Sequence, residues 1–247
     1  MYQVLKFDLA RNALRYLIRM YGIKELYIPY YLCDVVRHTL REENCKPIFY
    51  HIDDNFFPVL NPPLAQRERV EFRHEKVSEI LVSGQAKADN SYILYPNYFG
   101  ICQNNVRELV KIYPKLILDN AHAYFDEPMG FACFNAGHKF GRKNSYLWVQ
   151  SKEQPQILSV GQDLGIRKQK FLDLHSKYEP INTLNIDILD ITSPFVYPCL
   201  TKTIEEADEL VKQLKKEGKT IYRYWNNLPE SFNEYKFYSR LVPIPLD

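Results

Sequence analysis

Apolar strand-like runs alternate with amphipathic helices through the first 120 residues, and few folds accommodate that alternation. In residues 13–21, Leu14, Leu17, Ile18 and Tyr21 recur at i, i+3, i+4 and i+7, one buried helical face, with Asp8 ahead as a cap and Gly22 as the stop. Glu25–Pro29 (ELYIP) reads as a short strand. Residues 30–42 read as a second helix with Val35, Val36 and Leu40 inward. Lys46–Ile52 (KPIFYHI) is the next strand, ended by the polar Asp53, Asp54 and Asn55. Residues 91–95 (SYILY) form a strand. Residues 104–113 form a helix with Val106, Leu109, Val110 and Tyr113 on one face, and residues 116–118 a strand that follows Pro114. Strands separated by helices pair in parallel through right-handed crossovers. The fold class is therefore α/β with a mainly parallel sheet.

Between these units, residues 61–69 are rich in proline and charge and read as a loop. Residues 71–81 fit helix and strand equally, and residues 83–91 are a polar connection. Beyond a strand-like run at 145–149 the pattern changes. Residues 165–178 read as a helix with Phe171, Leu172 and Leu174 apolar, and residues 185–191 alternate polar and apolar. Residues 195–200 (FVYPCL) read as an edge strand because Pro198 interrupts them. Residues 203–217 form a helix with a Thr203/Glu206 capping box and a Gly218 stop. Residues 220–224 read as a further strand and residues 241–247 as an extended tail. The expected organisation is a large α/β domain over 1–150, a connecting helical segment over 151–184 and a small α+β domain over 185–247.

Composition removes several function classes. A net charge of +2 over 247 residues gives no electrostatic footprint for nucleic acid. No apolar run approaches the roughly 18–20 residues of a membrane span, and the N-terminus lacks a signal-peptide core. The five cysteines form no CxxC pair and read as reduced thiols in a cytoplasmic protein. His51, His74 and His175 are scattered without metal-ligand spacing. Asp53-Asp54 reads as a strand-end turn, and Lys212, Lys215 and Lys216 as the solvated face of the late helix. No GxSxG, P-loop or GxGxxG occurs.

The chemistry gathers in residues 116–148. A strand ends on Asp119, His122 follows three residues later, and Lys139 comes twenty residues after Asp119. Ligands of open α/β sheets bind at the carboxyl ends of strands. There a carboxylate can keep a pyridine nitrogen protonated, and a lysine can form a Schiff base with the aldehyde of pyridoxal 5'-phosphate (PLP). Taken alone, the same residues also read as a turn aspartate and a surface lysine.

The ordered segments ARNALRYLIR, ELYIPYYLCDVVRHTL, PIFYHIDDNF, LILDNAHAYF, HKFGRKNSYLWV, FVYPCL and VPIPLD resemble the DegT/DnrJ/EryC1/StrS family of sugar aminotransferases, over roughly residues 7–150 and 190–247. The resemblance implies a PLP-dependent transferase fold of type I, a homodimer, and transfer of an amino group from a donor such as glutamate to a nucleotide-linked keto-sugar, in sugar or polysaccharide biosynthesis. It implies Lys139 as the Schiff-base lysine, Asp119 as the pyridinium partner and His122 beside the phenolic oxygen. It places Asn12 in the phosphate-holding segment, and Tyr31 or Cys33 where an aromatic stacks on the ring. The chain departs from the family pattern in several respects. Leu9-Ala10 stands where Ser-Gly is usual, residues 135–138 (NAGH) lack the serine expected before the lysine, Lys143-Asn144-Ser145 stands where Asp-Gly is usual after it, the family's segment before the first helix is lacking, and the chain is short. These departures support a second reading, a non-catalytic relative that keeps the fold and the dimer interface.

Overall fold

A computed structural model describes residues 1–59, 91–151 and 165–246. The expectations for residues 61–69, 71–81 and 83–90 lie outside them. The main sheet contains β1 (Tyr2–Phe7), β2 (Glu25–Pro29), β3 (Lys46–Ile52), β4 (Pro58–Val59), β5 (Tyr92–Pro96), β6 (Leu116–Asn120), β7 (Ala132–Asn135) and β8 (Ser145–Gln150). Their order is β1-β8-β7-β6-β5-β2-β3-β4. The five central strands, β7 to β3 in that order, are mutually parallel. β8 is antiparallel to both of its neighbours, β1 and β7, and β4 is antiparallel to β3. The mainly parallel α/β fold is as the alternation required.

Covered on both faces, β6 and β7 are buried throughout and β5 in all but its first residue, whereas β3, nearer the sheet edge, buries only Tyr50 and Ile52. The pleat sends alternate side chains to two cores. Leu116 and Leu118 of β6 face the core that also holds Ile93, Tyr95 and Cys133. Ile117 faces the opposite core with Leu26, Ile28, Leu94 and Phe134. Helices α1 (Ala10–Tyr21) and α2 (Asp34–Glu42) cover the second core through Leu14, Leu17, Ile18, Val36 and Leu40. Helix α3 (Gln103–Ile112) covers the first through Val106 and Leu109.

The remaining described elements are α4 (Ile166–Tyr178), β9 (Val196–Leu200), α5 (Ile204–Lys216), α6 (Tyr235–Ser239) and β10 (Leu241–Pro245). β9 and β10 pair antiparallel with Pro198 opposite Pro243, so neither proline withholds a donor from a third strand. Phe171, Ala207, Leu210 and Leu214 pack against this ribbon. The Thr203/Glu206 capping box forms as expected.

Several expectations are corrected. The N-cap of α1 is Leu9, whereas Asp8 accepts the Leu9 amide and the Asn12 side chain from outside the helix. Tyr21 is 40 % exposed and meets Phe131 edge-on instead of closing the helical face. Helix α2 begins at Asp34, and Val35 points outward, its inward place taken by Thr39. Residues 220–224 pair with no strand, and the C-terminal tail is the strand β10. Strands β1 and β7 had no sequence expectation at all.

Candidate functional site

The carboxyl ends of β5, β6 and β7 open onto one cleft with the start of α1 and the loop before α2. It encloses about 920 Å³ of space, counting the part open to solvent. Its lining includes Leu9, Ala10, Arg11, Cys33, Val35, Asn97, Asp119, His122, His138, Lys139 and Trp225. The structure therefore brings Asp119, His122, Lys139 and Cys33 together. Asn12 does not line this cleft, since its side chain bridges Asp8 (2.7 Å) and Arg15 (2.8 Å). Tyr31 does not line it either. It is fully buried behind Trp225, edge-on at 4.5 Å, and its hydroxyl donates to the Phe237 carbonyl.

Each side chain is held by local structure. Asp119 is the fourth residue of β6, where its carbonyl accepts the Asn97 amide (3.0 Å). Its Oδ1 accepts the Ala121 N–H at 2.9 Å, a turn that lifts the chain off the sheet toward His122. Lys139 sits on a 3-10 turn over Gly137–Phe140, directly beyond β7. The Asn135 side chain pins that turn by donating to the Tyr124 carbonyl and accepting the Tyr146 amide. A Cβ on Gly137 would lie 2.0 Å from the Asn144 carbonyl oxygen, so only glycine allows this approach.

Lys139 Nζ lies 2.7 Å from His122 Nε2, with the Phe195 and Tyr224 rings 5.3 and 5.8 Å away. The His122 ring is parallel to the Trp225 ring within 7° at 5.6 Å and also stacks on Phe195 and Phe99. Phe99 adopts a left-handed φ of 56°, and its amide points at His122 Nδ1 from 3.4 Å. Gly100 must be glycine as well, because a Cβ there would sit 2.4 Å from the His122 carbonyl oxygen.

Burial sets the electrostatics. It pushes the Asp119 carboxyl up to about 6, against the Ala121 amide and the Lys139 amine, both of which pull it down. It holds His122 well below the usual imidazole range, with Lys139 adding to the effect. It also lowers Lys139, while Asp119 and Cys33 pull that amine the other way. Behind the cleft-lining Asn97, the buried Asp126 Oδ2 accepts from Asn97 and Gln103, Oδ1 has no partner among the described residues, and burial raises the carboxyl to about 8.

The donor set fits PLP. A buried carboxylate and an amine open onto the same cleft, flat rings line one side, and there is room for a substituted pyridine. At the start of α1, Leu9 and Ala10 bring no hydroxyl for a phosphate, whereas Arg11 and the exposed His138 bring N–H donors. Sequence reading missed Trp225, Arg11, His138, Phe195 and Tyr224 as lining or neighbouring groups. Tyr224 lies in the run 220–224 that reads as a strand, and Trp225 directly follows it. Among the described residues, no three His, Cys, Asp or Glu side chains are grouped to hold a metal. No described helix is long and apolar enough to cross a membrane.

The mainly parallel sheet, with the cleft at its carboxyl edge, has the fold of DegT DnrJ EryC1 StrS aminotransferase structures. The chain matches such an aminotransferase from Brucella abortus with a TM-score of 0.66 at 11% identity, covering 98% of this chain and 80% of that one. It matches PseC of Helicobacter pylori, an aminotransferase involved in the biosynthesis of pseudoaminic acid, with a TM-score of 0.61 at 16% identity over 98% and 81% of the two chains. A Streptococcus pneumoniae protein solved in PLP form matches with a TM-score of 0.57 at 13% identity over 98% and 81%. At these identities the likeness is one of fold. No protein-family model and no curated protein sequence matches the chain.

Proposed function

We propose that this chain is a PLP-dependent aminotransferase that moves an amino group from a donor such as glutamate to a keto-sugar, nucleotide-linked in the form the resemblance implies, and that it works as a homodimer. One observation carries the reading: the Lys139 amine and the buried Asp119 carboxylate open onto one cleft at the carboxyl edge of a parallel sheet. The structures that share this fold include aminotransferases and a PLP form, which supports the same reading.

When bound, PLP supplies an electron sink for breaking a C–H bond beside the transferred nitrogen. Lys139 would tether the cofactor and, once released, carry a proton between substrate and cofactor carbons. Asp119 is ionised above about pH 6, and its charge would hold a proton on the ring nitrogen. Trp225 and the rings around His122 would shield the reacting atoms from water. Arg11 and His138 would hold the phosphate in place of the missing hydroxyl.

The hydroxyl-free Leu9-Ala10 segment favours the alternative, a non-catalytic relative. A PLP titration separates the two. The enzyme reading expects a visible absorption band and, after borohydride, a covalent mass increase on Lys139. An unchanged spectrum at millimolar PLP supports the non-catalytic relative. If Arg11 and His138 did not compensate, two lost phosphate contacts, at about 1.5–3 kcal/mol each, would place the affinity roughly two to four decades below that of a full phosphate site.

A further inference from the structure

We propose that His122 is the positioning residue for Lys139: with Nδ1 committed to the Phe99 amide, its Nε2–H donates to Nζ and holds the lysine as a free amine before any cofactor arrives. The inference deepens the reading above and rests on it for its use, but the proton arrangement belongs to the cofactor-free chain.

Hydrogen-bond accounting carries it. The Phe99 N–H can only donate, so His122 Nδ1, 3.4 Å away, must accept and bears no proton. A neutral imidazole then carries its single proton on Nε2. Nε2 lies 2.7 Å from Lys139 Nζ, and with a proton on Nε2 the only acceptor across that gap is the amine's lone pair. An ammonium has no lone pair, so Lys139 is neutral. The amine's own N–H groups are left to face the Phe195 and Tyr224 rings.

Other titratable groups near Nζ are Asp119 on β6, Cys33 at the start of α2, His138 on the same turn and the Tyr224 phenol. Asp119 favours the charged amine, and burial opposes it more strongly. The strained Phe99 backbone, locked against Gly100 and the His122 carbonyl, fixes which imidazole nitrogen accepts. The result is a nucleophile ready to meet an aldehyde, since only the unprotonated amine attacks a carbonyl.

The test is NMR on the full chain without cofactor. Long-range proton–nitrogen spectra of the histidines should show His122 protonated on Nε2 alone at neutral pH. A proton on Nδ1, or on both nitrogens, overturns the proposal whatever PLP does. Titration of the Lys139 Cε signal should give a pKa below those of the surface lysines. His122→Phe keeps the ring stack but removes the donor, and should raise that pKa by about one unit, the size of one lost hydrogen bond. His122→Gln, which retains an N–H, should keep it low. A Lys139 titration unchanged in His122→Phe overturns the proposal. If that variant fails to fold, the wild-type tautomer still decides.

Discussion

Asp119 and Asp126 are both buried, and burial raises both carboxyls, to about 6 and about 8 from an ordinary 3.8. What faces them differs. Asp119 has an amine nearby and an opening to the cleft, so its charge has a use. Asp126 has two amide donors on one oxygen and, among the described residues, no partner on the other. A folded-state pKa above the unfolded one means the folded chain binds more protons across the interval. Stability therefore falls as pH rises from about 4 through about 8, where Asp126 is half ionised. Asp126→Asn should remove this fall and stabilise the chain at pH 8 by roughly 1–3 kcal/mol, measured by chemical unfolding at pH 5 and pH 8. A variant that is less stable at pH 8 contradicts the assignment. At Asp119, the substitution Asp119→Asn should keep the PLP absorption band while lowering amino transfer on the order of 100-fold or more. Wild-type transfer should decline as pH falls through about 6, as Asp119 takes up a proton. Lys139→Ala should lose both the band and the borohydride label. Persistence of the label in Lys139→Ala, on Lys143 for example, would reassign the tether.

At the scale of elements, the sequence was legible where a segment's burial follows its own pattern. Helix α5 has a cap, a period and a stop within sixteen residues, Thr203 to Gly218, and all three formed. The chemistry of β6 was legible because a polar residue ends an apolar run at the edge where parallel sheets bind ligands. Strand β1 was not legible. Its pairing partner β8 lies more than a hundred residues away, and YQVLKF carries only partial alternation. Strand β7 is four residues long, between β6 and β8, and has no β-branched residue to mark it. Residues 220–224 have strand-like composition, but the Tyr224 ring serves the wall around Lys139, Tyr222 is exposed, and they pair with no described strand. The glycine that allows the Lys139 turn was likewise invisible, because its need comes from the Asn144 backbone passing close by. Gly137→Ala should therefore displace that turn, destabilise the fold by about 1–3 kcal/mol and weaken PLP labelling of Lys139. Unchanged labelling together with unchanged unfolding would show that the turn has room to spare.

At the scale of the molecule, the cleft depends on residues far apart in sequence, because Trp225 and Tyr224 arrive from the C-terminal segment. That segment is tied down by Glu234, which is fully buried. One of its oxygens accepts the Ile52 amide at 2.8 Å and the His51 Nδ1 at 2.9 Å, joining the segment to the end of β3. Lys236 and Asn233 add contacts to Asp54, and the Phe237 carbonyl accepts from Tyr31. Burial alone would raise the Glu234 carboxyl, but the His51 and backbone hydrogen bonds outweigh it and the group ends below its ordinary 4.5. A lowered folded-state pKa contributes stability that is present above the unfolded value and is lost as pH falls through the folded value. Glu234→Ala would leave the Ile52 amide buried without an acceptor and should destabilise the fold by about 2–4 kcal/mol at pH 7. Glu234→Gln keeps an acceptor for that amide and loses only the charge, so its deficit should be smaller and should shrink further below about pH 4. With the tie cut, Trp225 should loosen over His122. Its fluorescence should then report a wetter environment and PLP affinity should fall, even though Glu234 does not line the cleft. Unfolding curves, tryptophan emission and PLP titration on the two variants test the chain of dependence together. Wild-type emission and affinity in a folded Glu234→Ala variant would mean that the cleft is built without this tie.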